Sequence, residues 1–256
     1  MKKAIGIGGL FGLVALGLLF SAPDAREFGK ITLPLGQVEV QPGGTGDWER
    51  ALPNRKVFVG DVIRTQAKSR CEITLSTGGK VRIGADSELE LNAANVKPME
   101  KTYQANLRKG NAWVSAKAAF GEKKNVSVRT PTAVAAIRGT VYRTVAGEEE
   151  SSVLVYKGKV DVNQPSNVEQ EENQPQTPKP GGAPQFKIGP VEEVQAPTQV
   201  AGPYEVSLED WITLVEGMQI NIRKDGKYNL FQFDQEADAN LDFVKWNKEL
   251  DAQSKE

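Results

Sequence analysis

The sequence contains no histidine and only one cysteine, Cys71. Histidine is the commonest general base and metal ligand at neutral pH, so its absence excludes Ser/His/Asp and Cys/His hydrolytic sites. One cysteine allows neither an internal disulfide nor a thiolate cluster for zinc or iron–sulfur. Cys71 alternates with Ile73 and Leu75 in "SRCEITL", a pattern that favours a small buried hydrophobe over a reactive thiol.

Carboxylate pairs are the remaining candidates for catalysis. Glu88 and Glu90 share one face of a predicted strand, and Asp234 and Glu236 form a second pair near the C-terminus. Neither pair has other chemical groups converging on it in the sequence, and solvated surface positions explain both. We therefore predict a protein that is not an enzyme and that needs no cofactor and no metal.

Long apolar runs are absent except for Ala4–Phe20, which follows two lysines at the N-terminus. This pattern is typical of an export signal, with the lysines retained in the cytoplasm. Residues 1–25 are predicted to be a cleaved signal peptide, or an N-terminal membrane anchor if they are retained. The rest of the chain is then periplasmic or otherwise extracytoplasmic, secreted or anchored, and contacts the membrane only through this segment.

Residues 29–162 are predicted to form short strands that are separated by glycine turns. In "ITLSTGGKVRI" two alternating runs meet at Thr77, Gly78 and Gly79, which is a strong hairpin signal. A phosphate-binding loop would need a helix directly after the glycines, and none is predicted there. Strands that recur every 8 to 12 residues without a helix indicate an all-β unit, a twisted β-roll or a short β-helix.

The central stretch "VSVRTPTAVAAIRGTVYRTV" interrupts this alternation. Thr130 and Pro131 should end one strand, because proline removes a hydrogen-bond donor and restrains the residue before it. Gly139 offers a backbone position that other residues resist, and Arg138 and Thr140 flank it. We interpret the interruption as a corner of the fold, with a recognition surface at Arg138 and Thr140 as the alternative.

The C-terminal part of the chain, residues 163–256, differs in composition from residues 29–162. Residues 163–203 hold more than half of the 14 prolines and are predicted to form a flexible linker. Residues 204–256 are predicted to form a strand hairpin and one amphipathic helix. The apolar stripe of this helix, which packs on the chain's own domain or docks on a partner, consists of Ala239, Phe243, Trp246 and Leu250.

Several of these phrases together resemble one family. "GDVIRTQAKSRCEITLSTGGKVRIGADSELEL", "LRKGNAWVSA", "VSVRTPTAVAAIRGTVYRTV" and "VLVYKGKVDV" follow the order found in FecR-type domains. The resemblance covers about residues 29–162 and implies a β-rich extracytoplasmic module that binds rather than catalyses. Its motif residues, which we expect to be mainly structural, are Gly60, Asp61, Thr77, Gly78, Gly79, Thr130, Pro131, Arg138, Gly139 and Thr140.

The best-known FecR-type protein regulates iron-transport transcription from the envelope through a cytoplasmic N-terminal segment. Only three residues precede the apolar run here, so a direct contact with a sigma factor is not expected. We expect an exported, non-enzymatic binding module of the cell envelope, in envelope signalling, whose partner is an envelope protein and not nucleic acid. The alternative is a module that binds polysaccharide or peptidoglycan. Candidate contact residues for either partner are Trp48, Trp211, Phe243 and Trp246.

Overall fold

The computed structural model describes residues 26–116, 123–138, 140–165, 206–207 and 211–254. The predicted signal segment, most of the predicted linker and Gly139 lie outside these residues. None of the described helices is both long and apolar enough to cross a membrane. The strands are β1 (Glu27–Leu35), β2 (Val38–Gln41), β3 (Glu49–Arg50), β4 (Lys56–Phe58), β5 (Val62–Thr65), β6 (Arg70–Leu75), β7 (Lys80–Ile83), β8 (Glu88–Val96), β9 (Glu100–Ser115), β10 (Lys123–Arg129), β11 (Val134–Arg138), β12 (Val141–Ala146), β13 (Glu150–Lys157), β14 (Lys159–Asn163), β15 (Val206–Ser207), β16 (Ile212–Val215), β17 (Met218–Arg223) and β18 (Lys227–Gln232). The helices are α1 (Gln235–Ala239) and α2 (Asp242–Gln253).

The strands form two layers that share β9. Layer A has the order β4-β1-β6-β7-β9-β12-β13-β17-β18-β15. Layer B has the order β3-β2-β5-β8-β9-β10-β11-β14-β16. Among the described strands, only the pairing of β9 with β10 is parallel. The prediction of an all-β roll is confirmed, and the chain repeatedly changes layer between consecutive strands, for example between β1 and β2, between β4 and β5, and between β13 and β14.

The 16-residue strand β9 passes from one layer into the other at Gly110. Residues before this point pair with β8 and β10 in layer B, and residues after it pair with β7 and β12 in layer A. Gly110 has a φ of +92°, and a Cβ there would lie 2.2 Å from Oγ of Ser87. Only glycine therefore fits this bend.

The core lies between the two layers, where apolar side chains alternate with outward-facing ones. The ring of Phe28 in layer A meets the ring of Tyr103 in layer B edge to face, with centroids 5.3 Å apart. Cys71 is completely buried among these side chains, as its alternation predicted, and burial raises the pKa of its thiol. Other buried members of the core are Ile31, Ile73, Val81, Leu89, Leu107, Val114, Val128, Tyr142, Val155 and Ile220.

The glycine turns lie where the sequence predicted them. Gly78 and Gly79 connect β6 to β7 with φ values of +78° and +91°, and Gly226 connects β17 to β18 with a φ of +84°. These positive φ values are the backbone conformations that tight hairpins require. The hairpin reading of "TGGK" is therefore confirmed.

The central stretch has two breaks, and the chain changes layer only at the second, between β11 in layer B and β12 in layer A, as the predicted corner requires. After Pro131 the chain forms strand β11, which pairs with β10 on one side and with β14 on the other. The first break, at Thr130 and Pro131, is a hairpin turn closed by hydrogen bonds from Thr130 N to Ala133 O (2.7 Å) and from Ala133 N to Thr130 Oγ1 (2.9 Å). Arg138 contributes its backbone to the end of β11. Strand β10 ends at Arg129, directly before Thr130 and Pro131, as predicted.

The C-terminal strands extend both layers. Strand β17 pairs with β13 in layer A, and β16 pairs with β14 in layer B. The predicted single helix is two helices, because the chain leaves helical geometry between Ala239 and Asp242. The buried residues of α2 are Val244 and Asn247, whereas Phe243, Trp246 and Leu250 are only half-buried. The predicted apolar stripe is therefore the edge of the buried face and not its centre.

Candidate interaction face

The outer face of layer A carries a row of side chains that runs across seven strands. Successive cross-strand partners place these side chains next to one another on the side away from the core. We call this set the transverse row. Its members are Glu72, Arg82, Trp113, Arg143, Leu154, Gln219 and Phe231.

One end of the transverse row is an ion-pair network under α2. Arg82 is completely buried, and its Nε donates to Oε2 of Glu72 at 2.7 Å. Its Nη1 donates to Oδ1 of Asp251 at 2.6 Å and makes a longer contact of 3.4 Å with Oδ1 of Asn247. The indole Nε1 of Trp113 donates to the other carboxylate oxygen of Asp251 at 3.0 Å. Both oxygens of Asp251 are thus bound by layer A.

Glu72 supports this network from the strand side. Its carboxylate accepts hydrogen bonds from Oγ1 of Thr32 at 2.7 Å and from Nζ of Lys80 at 3.1 Å. Burial by itself would raise the pKa of Glu72, but the hydrogen bonds from Thr32, Arg82 and Lys80 and the charge of Arg82 outweigh burial and lower it. Glu72 is therefore a carboxylate that the fold holds in its ionised form.

A second polar contact holds α1. Nη2 of Arg143 donates to Oδ1 of Asp238, and the hydroxyl of Tyr156 donates to Oδ2 of the same carboxylate at 2.7 Å. Burial raises the pKa of the Tyr156 hydroxyl, and the neighbouring Asp238 adds to this rise. The ring of Tyr156 packs on that of Trp113 with centroids 4.4 Å apart. The two polar contacts are therefore joined by stacked aromatic rings.

A groove of about 360 Å³ opens beside α1 on the same face. Its floor includes Arg143 and Leu154, which belong to the transverse row. Phe231 and Leu241 at its rim are 39% and 47% exposed, although both are large apolar side chains. The groove combines an apolar rim with an ionic floor, which suits a protein ligand. The other lining residues are Val145, Ser152, Gln219, Phe233, Asp234, Ala237 and Asp238.

A second cleft, of about 540 Å³, lies on layer B. The guanidinium of Arg64 stacks on the ring of Trp48 at 3.8 Å from its centroid. Nε of Arg64 also donates to Oε2 of Glu39 at 2.7 Å, and this hydrogen bond lowers the pKa of Glu39. Gln37, Gln66 and Arg50 complete a lining rich in hydrogen-bonding groups.

The family-motif residues make contacts within the fold. Asp61 accepts hydrogen bonds from Gly43 N at 3.0 Å and from Phe58 N at 2.9 Å, next to Gly60, whose φ is +96°. Oγ1 of Thr77 accepts from the hydroxyl of Tyr103 at 2.9 Å. Oγ1 of Thr140 donates to the carbonyl of Lys159 at 2.7 Å. Each contact stabilises a turn or a strand end.

The predicted carboxylate pairs are engaged in ordinary structural contacts. Glu88 and Glu90 both pair with the exposed Arg108, at 2.7 and 3.0 Å. Asp234 caps α1 by accepting from the backbone of Glu236 and Ala237. Within the part of the chain that the structure describes, no group of three or more acidic or cysteine side chains is placed to hold a metal ion.

The aromatic contact candidates lie at separate places. Trp48 stacks on Arg64, which lines the layer B cleft, and Trp211 is 37% exposed just before the edge strand β16. Trp246 faces Arg70, whose guanidinium is 5.4 Å from the ring centroid, and the Phe243 ring lies over Gly84. The sequence analysis did not single out Arg82, Arg143, Asp238 or Asp251. The one available signal was arginine between buried apolar neighbours in "KVRIG".

Comparison with known proteins confirms the family resemblance for the centre of the chain. Residues 61–161 match the family model described as "FecR protein". Two crystal structures of a candidate anti-sigma factor from Parabacteroides distasonis ATCC 8503 are similar at 17% and 16% identity, with TM-scores of 0.44 and 0.43. Each match covers 68% of this chain, which spans about 61% of that protein's length. None of the curated proteins compared with the sequence matches it.

Proposed function

We propose that this chain, whose residues 61–161 form a FecR domain, is a non-catalytic binding module of the cell envelope. It takes part in envelope signalling by contacting another protein. The observation that carries this proposal is the groove beside α1, where exposed Phe231 and Leu241 border the buried Arg143–Asp238 pair.

The composition of the groove explains why a protein is the expected partner. Apolar side chains at the rim gain free energy when a partner removes them from water, about 25 cal/mol per Å² of apolar surface. The ion pair at the floor adds directional specificity, because a misplaced partner would leave a desolvated charge. A peptide segment with one apolar anchor and neighbouring polar groups satisfies both requirements.

The binding test uses a photo-crosslinking amino acid at Leu241, which is 47% exposed at the groove. The matched control carries the same amino acid at Leu52, which is 61% exposed in the loop before β4. We expect one defined cross-linked envelope protein from position 241 and none from position 52. Equal cross-linking from both positions, or none from either, would refute the proposed binding surface.

The proposal also includes export through residues 1–25. An alkaline phosphatase fused after Val162 should be active, since this enzyme matures only outside the cytoplasm. The matched control is the same fusion without residues 1–25, which should be inactive. An inactive full-length fusion that is present in normal amount would contradict export.

A second candidate function is polysaccharide binding in the layer B cleft. It is favoured by the stacked Trp48–Arg64 pair beside Glu39, since aromatic faces and planar polar groups suit sugar rings and hydroxyls. Saturable retention on purified cell wall should then be lost in Trp48→Ala. Trp211→Ala is the control, because Trp211 adjoins β16 at the opposite edge of layer B from β3. Equal loss in both variants would argue against the cleft.

A further inference from the structure

The contact between α2 and layer A is unusually polar for a helix on a sheet. Amphipathic helices usually bury an apolar stripe of three to four residues per two turns. In α2 the completely buried side chains are Val244 and Asn247, and the next position on that face, Asp251, binds Arg82 and Trp113. Ion pairs and hydrogen bonds therefore occupy the centre of the buried face of the helix, while Phe243, Trp246 and Leu250 pack at its edge.

Arg82, which lies beneath α2, has an ion-pair partner within layer A that does not depend on the helices. Arg82 is bound to Glu72, which is also bound to Thr32 and Lys80, and all four side chains belong to layer A. A charge that loses every partner in a buried site destabilises a protein strongly. Since Arg82 keeps Glu72, departure of α2 would expose a charged surface that is already organised by the strands.

The resident helices leave hydrogen-bonding capacity unused. Among the described residues, Nη2 of Arg82 and Nε of Arg143 are buried and have no acceptor. Each arginine has five donors in a fixed geometry that matches carboxylates, and an unmade buried hydrogen bond costs free energy. A segment that brought one more acceptor to each arginine would bind this face better than α1 and α2 do.

We propose that the transverse row is a receptor surface for an acidic amphipathic helix, and that α1 and α2 are its resident, displaceable occupant. The partner is an acidic helical segment with two carboxylates that flank a small apolar and amide face, in the pattern of Asp238, Val244, Asn247 and Asp251. This inference rests on the proposed function as a binding module and identifies its partner class; the groove beside α1 is then the place of first contact, before the partner replaces α1 and α2. The partner exchanges with the chain's own helices.

The first experiment measures this exchange with the full chain. The probe is a fluorescein-labelled peptide with the sequence of residues 234–254, and its binding is followed by fluorescence anisotropy. A chain with Asp238→Asn and Asp251→Asn holds its own helices less firmly, so it should bind the peptide at least tenfold more tightly than the unchanged chain. A control peptide with the same two substitutions should bind that variant at least tenfold more weakly.

A disulfide lock provides a second test that does not depend on these carboxylates. Cδ2 of Phe243 lies 3.3 Å from the position of a Cβ at Gly84, and Gly84 has no positive φ, so Gly84→Cys with Phe243→Cys is the pair to test, with the loss of both free thiols on oxidation checked by mass spectrometry. The oxidised chain should not bind the peptide. The reduced chain should bind it with an affinity at least tenfold higher than that of the oxidised chain. The thiol of Cys71 is buried and inaccessible, so it does not compete for the new bond, and the Gly84→Cys single variant controls for the substitution itself.

The outcomes separate this inference from the proposed function. Equal peptide affinity in the oxidised and reduced chains, or no binding to the reduced chain, would overturn the exchange. If a partner still cross-links from Leu241 in that case, the binding module stands and only the displaceable helices are wrong. Loss of both results would refute the binding function together with the exchange.

Discussion

Asp251→Asn is the most direct perturbation of the contact between α2 and layer A. The change keeps the size of the side chain but removes the negative charge that faces Arg82 at 2.6 Å and the acceptor that Trp113 uses at 3.0 Å. Asn can accept one of these hydrogen bonds through its amide oxygen, while its amide nitrogen cannot accept the other. We therefore expect lower stability of the folded chain without loss of the sheet.

The size of the effect follows from burial. A hydrogen bond to a charged group contributes about 1.5–3 kcal/mol, and Asp251 is 18% exposed, so water replaces part of the loss. Arg82 keeps Glu72 as a partner and escapes the larger cost of an unpaired buried charge, about 3–5 kcal/mol. We expect a loss of about 1–2 kcal/mol in the free energy of unfolding, or a Tm lower by about 2–8 °C.

Urea unfolding followed by the fluorescence of Trp113 and the other tryptophans measures this loss. The matched control is Asp225→Asn, which makes the same chemical change in an exposed pair with Arg223 at 3.5 Å. Exposed pairs contribute about 0–1 kcal/mol, so the control should stay near the unchanged chain. An Asp251→Asn variant as stable as the Asp225→Asn control would show that the network does not hold the helix.

Three further predictions concern other parts of the chain. Gly110→Ala should lower the free energy of unfolding in urea by about 3 kcal/mol or more, because the new Cβ clashes with Ser87 and the backbone has a positive φ. Gly78→Ala is the control: it also has a positive φ but open space around its Cβ, so it should lower this free energy by only about 1–2 kcal/mol. Because the folded pKa of Glu72 is lowered, its stabilisation is present above the unfolded pKa of about 4.3 and lost as pH falls through the folded pKa. Glu72→Gln should therefore flatten the decline of the urea midpoint between about pH 5 and 3. Trp246→Ala should cost about 1–2 kcal/mol in the same assay, less than the roughly 3–5 kcal/mol of a fully buried tryptophan, because its ring is only half-buried.

The features that could be predicted from the sequence are those encoded locally. Gly78 and Gly79 between two alternating runs specify a hairpin by backbone conformation alone, and the structure contains that hairpin. The burial of Cys71 followed from a period of two along one strand. Both inferences needed only neighbouring residues, so the distant parts of the chain did not affect them.

The features that could not be predicted depend on residues far apart in the chain. Arg82 occupies an outward position of β7, where a charged residue indicates solvent, but α2 covers it from more than 160 residues away. For the same reason the apolar stripe of Phe243, Trp246 and Leu250 predicted only the edge of the buried face. The surface that receives α2 is ionic, so the helix turns Asn247 and Asp251 towards it. A helix pattern read alone does not reveal the chemistry of its partner.

The C-terminal region is attached to the domain in two physically different ways. Strands β16 and β17 continue the hydrogen-bond ladders of β14 and β13, and Ile220, Ile222 and Leu214 belong to the core. Removing these strands would expose an unpaired strand edge in each layer and open the core. The helices that follow add no ladder hydrogen bonds, and the carboxylates of Asp238 and Asp251 form the polar part of their contact with layer A. The strands are therefore an obligatory part of the fold, and only the segment after Phe233 is attached by side chains alone, which is the kind of attachment that displacement by a partner requires.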